Sequence, residues 1–449
     1  MAKYDFGKDF FWGTSAASFQ IEGAWNEDGK GESIWDRFCH IPGKVDNGDT
    51  GDVACDHYHR YPEDIAIMKQ LGIQVQRLSI SWPRIYPDGK GRINPKGIEF
   101  YEKVIDTMLE NGIEPFVVLY HWDLPQKLQD LGGWLNPEIV NWFGDFSRTV
   151  FQALKGKVKY WGTVLEPHVI CYGGYDSYDT APGIKDFSSA LLAGHNLLKA
   201  HGRAVQIFRE ENTGGEIGLI TCLPMTYPVT DSPEDVAAAE RNDKHYRAWF
   251  LDPIFKGKYP ADLWKWYEEH GIVLPEVTEE DLKLISEPID FLGTNYYSAD
   301  FVKAGDKSWP LMLEQVKPDV DVFTDMGWNV YPKGFYDTLM RTKEEYDPKM
   351  VITENGAAFY DVVNRDGRIA DDSRIEYLYR HLKEVYRAKQ DGAKIAGYMV
   401  WSIMDNFEWS HGYSKRFGLV HIDYKTLKRT IKDSGYWYSN VIKNNGFED

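Results

Sequence analysis

Apolar residues along the 449-residue chain gather into short runs, separated by longer stretches in which they recur every three or four positions. The short runs read as strands at 11–18, 75–81, 115–121, 160–166, 217–223, 291–297, 350–354 and 395–402. Between them the helical period predicts helices, among them 62–71, 96–111, 188–210, 332–346 and 373–391. Eight strand–helix units of mostly parallel type are the pattern of a (β/α)8 barrel, the TIM-barrel class of α/β fold, with elaborated loops at its C-terminal face. No repeat, low-complexity block or linker divides the chain, so a single domain over residues 1–449 is expected.

The polar residues fall at telling places in this pattern. His121 closes the third run, Glu166 the fourth, Tyr297 the sixth and Glu354 the seventh, with Trp401 near the end of the eighth. The C-terminal ends of barrel strands form the active-site face, so side chains far apart in sequence are expected to meet in one pocket.

Composition narrows the classes of function. The 15% aromatic share, with 16 Trp and 28 Tyr, supplies rings enough to line a sugar site as well as to fill a large core. A formal charge of −18 would repel nucleic acid and anionic membranes, so neither is expected as a partner. No stretch approaches the ~20 apolar residues of a membrane span, and the start lacks an apolar signal core; a cytoplasmic protein acting on a small molecule is expected.

Cys39, Cys55, Cys171 and Cys222 are too few and too scattered for a disulfide framework. Cys55-Asp56-His57-Tyr58-His59 looks like clustered metal ligands, but the segment leads into a helix, where residues two apart face different directions. His168, Cys171 and Cys222 match no standard metal or haem spacing. No metal or cofactor is expected.

Thr163-Val164-Leu165-Glu166-Pro167 and Ile352-Thr353-Glu354-Asn355-Gly356 each end an apolar strand with a carboxylate. A buried strand rarely ends in Glu without a partner or a purpose. Paired carboxylates suit glycosidic cleavage, since one protonates the leaving oxygen while the other attacks the anomeric carbon or activates water. The charge of Glu354 would keep Glu166 protonated as the acid, and Arg77 would stabilise that charge across the barrel.

Further segments carry a resemblance. They run from Phe11-Trp12-Gly13-Thr14 and Gln20-Ile21-Glu22-Gly23 through Ser79-Ile80-Ser81-Trp82-Pro83-Arg84 and Tyr120-His121-Trp122-Asp123-Leu124-Pro125. Asn295-Tyr296-Tyr297, Thr353-Glu354-Asn355-Gly356, the stretch from Trp401 to Trp409 and Arg416-Phe417-Gly418-Leu419 complete them. Over essentially its whole length the chain resembles family 1 glycoside hydrolases, bacterial β-glucosidases in particular. The resemblance implies a retaining mechanism with Glu354 as nucleophile, Glu166 as acid/base and Tyr297 orienting the nucleophile. It further implies that Gln20, His121, Asn295 and Glu408 hold the hydroxyls of the glycone, with Trp122, Trp401, Trp409 and Phe417 as its aromatic walls.

The departures from that family are as specific as the matches. Its acid/base motif reads Thr-x-Asn-Glu-Pro, and here the Asn position is Leu165. His168 stands at a usual Trp, Cys222 at an Asn and Thr180 at a His; His411 replaces a common Glu or small residue, Asn329 a frequent Glu, and Lys244-His245-Tyr246 a small and aromatic segment. These changes are expected to cluster at the barrel mouth. That leads to the expectation of a reconstructed or redesigned scaffold whose pocket is altered for another ligand or reaction. Under this second reading, Glu166 or Glu354 would abstract a carbon-bound proton, the pocket would bind an aromatic small molecule, or Lys244, if buried, would form a Schiff base.

Overall fold

The computed structural model describes residues 3–177 and 179–449. Eight parallel strands close into a barrel: β1 Phe11–Ser15, β2 Val75–Ser79, β3 Glu114–Tyr120, β4 Tyr160–Leu165, β5 Glu216–Cys222, β6 Phe291–Asn295, β7 Met350–Asn355 and β8 Ile395–Trp401. Each neighbours the next in sequence order, and β8 pairs with β1, from Gly397 beside Phe11 to Trp401 beside Ser15. Every strand overlaps one of the eight expected runs. Seven of the eight leave the ladder sooner than apolar patterning suggests, while β7 runs one residue further, to Asn355, and β3 and β5 begin one residue earlier. Ser18 opens a short helix, Ser18–Ile21, and His121, Glu166 and Tyr297 sit just beyond their strands.

The barrel is a packed cylinder. Its interior is filled by Val75, Phe116, Val118, Tyr160, Leu165, Ile220, Phe291, Val351 and Met399, bulky side chains layered as parallel barrels require. The outer helices bury one face each. In Ile139–Leu154 the buried positions Ile139, Val140, Phe143, Phe146, Val150 and Leu154 recur at helical spacing, so one stripe meets the barrel. The expected helix 332–346 is found as Pro332–Tyr346, opened by proline in the first turn, where its missing N–H costs nothing.

Three small sheets decorate the barrel among the described residues, one of them the antiparallel pair Val420–Ile422 and Arg429–Ile431. A small sheet joins Thr226–Pro228, Asp300–Ala304 and Leu313–Gln315. Lys3–Asp5 and Gly446–Glu448 pair antiparallel, tying the two ends of the described chain together.

A buried charge network braces the segment after β8. Asp405 accepts from Lys432 Nζ at 2.7 Å and Arg416 Nη1 at 2.5 Å, and Lys432 also reaches Asp361 at 2.5 Å. Burial alone would raise the Asp405 carboxyl, but the Lys432 and Arg416 charges hold it below the usual carboxylate range. Asp405→Ala would leave Lys432 and Arg416 without their shared counter-charge. Breaking a buried pair this way costs about 3–5 kcal/mol, which urea denaturation is expected to register as a lowered midpoint.

Candidate active site

Glu166 and Glu354 open onto one pocket of about 790 Å3 at the C-terminal ends of the strands, a volume suited to a small ligand. His121, Trp122, Tyr297, Trp401, Glu408, Trp409 and Phe417 line it as well, as do His168, Thr180, Cys222 and His245. Arg77, Asn295, Gln20 and Leu165 do not line it; they stand behind the groups that do.

Local backbone explains the placement of Glu166. Leu165 packs into the barrel interior, and strand alternation would send the next residue outward. Glu166 instead takes a left-handed φ of 51°, its N–H bonds to the Ile220 carbonyl at 2.8 Å, and its carboxyl joins the pocket. Asn295 Nδ2, at the end of β6, donates to Glu166 Oε1 at 2.7 Å, while Asn295 Oδ1 accepts from Thr353 at 2.6 Å. Asn295 is thus engaged with the carboxyl group.

Glu354, inside β7, is held from two sides. Arg77 Nη2 on β2 lies 2.6 Å from Glu354 Oε1, an ion pair off the line of a hydrogen bond. The Tyr297 hydroxyl donates to Glu354 Oε2. The Arg77 guanidinium also lies 5.6 Å from the Trp401 ring centre, a cation–π distance.

Glu408 closes the pocket from the loop after β8. Gln20 Nε2 donates to the Phe407 carbonyl at 2.8 Å and to Glu408 Oε2 at 3.4 Å. Gln20 Oε1 and His121 Nδ1 are buried with no protein partner, and buried polar atoms of this kind call for an explanation such as a ligand. Trp122 and Trp409 pack at 4.6 Å between ring centres, and Trp122 Nε1 donates to the Leu165 carbonyl at 3.0 Å.

The electrostatics separate the carboxyls. Burial, and then the charge of Glu354, push Glu166 up to about 8, with Asn295 and Arg77 opposing. Burial and the same charge also push Glu408 up to about 8. Two groups that would ordinarily be ionised are thereby kept as neutral acids near pH 7. Burial drives His168 and His245 down to about 3, so both rings are neutral. His121 is driven well below its ordinary value by burial and then by Arg77.

Several sequence expectations need placing. Cys55 Sγ donates to the Asp405 carbonyl, His57 Nδ1 meets Asp64 at 2.7 Å and His59 Nδ1 meets Asp56 at 2.6 Å; the three point apart. His168, Cys171 and Cys222 do not converge either: among the described residues the one group with mutually close donor atoms is Cys39, His40 and Asp52. Lys244 pairs with Asp262 and lies outside this pocket. The altered positions are not all at the mouth. Asn329 clamps the backbone of Ala299 from both sides, at 3.2 and 2.8 Å, and Leu165 is part of the barrel interior. Patterning also passed over Tyr172, Phe187 and Trp309, which line one side of the pocket from loops and loop-helix junctions. Their positions follow no periodicity, and only the fold brings them together.

Comparison with known proteins agrees with this geometry. The glycosyl hydrolase family 1 model matches residues 2–447. The chain is 51% identical to β-glucosidase A of Acetivibrio thermocellus over all of both chains, and 50% identical to β-glucosidase A of Thermotoga maritima over 99% of each. A solved family 1 β-glucosidase from Thermotoga maritima superposes with a TM-score of 0.97 at 49% identity, covering 100% of both chains. The same enzyme solved with glucoimidazole superposes with a TM-score of 0.95, at 49% identity over 99% of this chain and 100% of that one. With a family match from the second residue almost to the last, a closed eight-stranded barrel and two carboxyls at its C-terminal rim, the chain belongs to glycosyl hydrolase family 1.

Proposed function

We propose that the protein hydrolyses β-linked glucosides with retention, by double displacement. The Glu354 carboxylate attacks the anomeric carbon while the Glu166 carboxyl gives its proton to the departing oxygen. The aglycone leaves, and a glycosyl ester on Glu354 remains. Glu166, now a carboxylate, takes a proton from water, which displaces Glu354 and delivers the β-configured sugar. The observation that carries this reading is the division of labour in one pocket: Glu166 is raised to about 8 by burial and by Glu354, while Glu354 sits on Arg77 and Tyr297.

Tyr297 orients the nucleophile, and Asn295 steadies the acid. His121 and Glu408 receive glycone hydroxyls between walls of Trp122, Trp401, Trp409 and Phe417, with Gln20 holding Glu408 from behind and its free Oε1 open to a hydroxyl that reaches past it. The unpartnered His121 Nδ1 and Gln20 Oε1 support that assignment, as does the glucoimidazole bound by the Thermotoga maritima relative. A single catalytic unit over residues 1–449 is supported by the span of the family match and by the pairing of the terminal strands. Four free thiols fit the reducing, cytoplasmic setting of the proposal. Proton abstraction from carbon finds no support in the comparisons, and Glu166 held as a neutral acid is a poor base at pH 7.

NMR of the first-formed sugar from an aryl β-glucoside tests the proposal. The β-anomer is expected before mutarotation, and the α-anomer would overturn retention. The pH profile is a second expected result. The proton on Glu166 is present below about 8 and lost above it, so kcat/KM should fall as pH rises through about 8. An alkaline limb that stays unchanged in Glu166→Gln would assign it to another group.

A further inference from the structure

The helix Ile34–Cys39 ends in a thiol, and the next residue is a histidine. Thirteen residues on, the chain returns with Asp52. One donor atom each from Cys39, His40 and Asp52 lies within 4.8 Å of the other two. His40 Nε2 is hydrogen-bonded to Asp52 Oδ2 at 3.2 Å and lies 3.1 Å from Asp52 Oδ1, a carboxylate oxygen shielded from solvent that accepts no well-formed hydrogen bond. Cys39 is buried, while His40 and Asp52 keep enough exposure for an ion to arrive from solvent. None of the three lines the catalytic pocket.

We infer that Cys39, His40 and Asp52 form a site for a divalent ion of the zinc class, with Cys39 Sγ, His40 Nε2 and an Asp52 carboxylate oxygen as ligands and a fourth position left for water. The donor set is chemically coherent. Thiolate, imidazole and carboxylate together favour a borderline-soft ion over magnesium or calcium, which take oxygen ligands. Zinc bonds of about 2.0–2.3 Å place tetrahedral donors about 3.3–3.8 Å apart, so side-chain adjustment of roughly an ångström completes the site. Binding forms a metal–sulfur bond, breaks the S–H bond and releases that proton to solvent. Without an ion the thiol is pushed up to about 12, chiefly by burial, with Asp36 and Asp52 adding to it and the Gly51 N–H opposing. A cation reverses that balance, as coordination does for thiols generally.

The site would also have structural reach. It closes the base of the loop between residues 39 and 52, whose tip holds the rim of the catalytic pocket. Asp46 Oδ2 meets His411 Nδ1 at 3.1 Å, and Asp49 Oδ2 accepts from the Tyr413 N–H at 3.0 Å. His411 lines the pocket. A clip at the loop's base lowers the entropy of the open chain and so stabilises the folded rim.

The test is titration of the full chain with Cd2+ alone, followed by competition with Zn2+. One equivalent of Cd2+ is expected to raise a sulfur-to-cadmium charge-transfer band and to alter the emission of Trp25, whose ring centre lies 5.1 Å from that of His40. Zn2+ should displace it and raise Tm. Cys39→Ser should abolish the band, whereas Cys222→Ser should keep it. Loss of an outer-shell partner alone costs about 10–100-fold in metal affinity, so His40→Ala and Asp52→Asn should each weaken binding at least about tenfold. The His40 side chain is 37% exposed, so its variant is expected to fold normally. Absence of the band, its persistence in Cys39→Ser, or undiminished affinity in both His40→Ala and Asp52→Asn would overturn the site.

Discussion

Glu354→Gln is expected to remove glucoside hydrolysis almost completely, lowering kcat by at least ~10⁴, the scale on which loss of a covalent nucleophile registers in other enzymes. Two effects combine. The amide cannot form the glycosyl ester, and the charge that keeps Glu166 protonated disappears, since that charge is the second largest cause of its raised value. Arg77 also loses the carboxylate 2.6 Å away, so circular dichroism should accompany the assay to separate lost chemistry from lost fold. Glu166→Gln should be milder, about 10²–10⁴, and its deficit should shrink with aglycones that leave without a proton. A deficit independent of the leaving group would remove Glu166 from the role of acid.

Leu165→Asn is expected to act in the opposite direction, raising kcat/KM by about 10²–10³. In the resembled family an Asn here holds the sugar 2-hydroxyl, a contact that strengthens in the transition state and is worth several kcal/mol. Leu165 lies in the apolar layer against which the pocket residue Trp122 packs, so it offers no polar atom to a hydroxyl seated above it and leaves that hydroxyl desolvated, at about 1–3 kcal/mol, and each ~1.4 kcal/mol is tenfold in rate. The same change should cost stability, because Leu165 is fully buried among the apolar side chains filling the barrel and a buried amide without full pairing costs about 1–3 kcal/mol. Faster turnover with a lower Tm is the expected signature. A 2-deoxyglucoside should gain nothing; equal gains on both substrates would remove the 2-hydroxyl from the explanation.

Much of this was readable before the fold was known, for a definite physical reason. Parallel barrel strands are covered on both faces, so they read as near-continuous apolar runs, and a Glu ending such a run is conspicuous. Glu166 and Glu354 stood out that way. The pairing of Arg77 with Glu354 followed from the same logic, because a charge inside a strand needs a counter-charge. What stayed hidden depends on side-chain direction. Leu165 and Glu166 are adjacent, yet both turn toward the barrel axis because Glu166 adopts a left-handed backbone. Asn295 was expected on the glycone, and its bond to Glu166 was not foreseen. Gln20 stands behind Glu408, a relation set by a contact across 388 positions. The three-residue strands Thr226–Pro228 and Leu313–Gln315 are too short to impose a period. The clustering of replacements at the mouth holds for His168, Thr180, Cys222, His245 and His411, but not for Leu165 in the barrel interior, Lys244 paired with Asp262, or Asn329, which clamps Ala299.

The covalent ester decides the central claim. The protein would be treated with a 2-deoxy-2-fluoroglucosyl donor carrying a good leaving group, digested, and its labelled peptide sequenced by mass spectrometry. The prediction is one fluoroglucosyl group per chain, attached to the Glu354 carboxylate. Attachment to any other residue, or steady hydrolysis of the donor without an adduct, would contradict it.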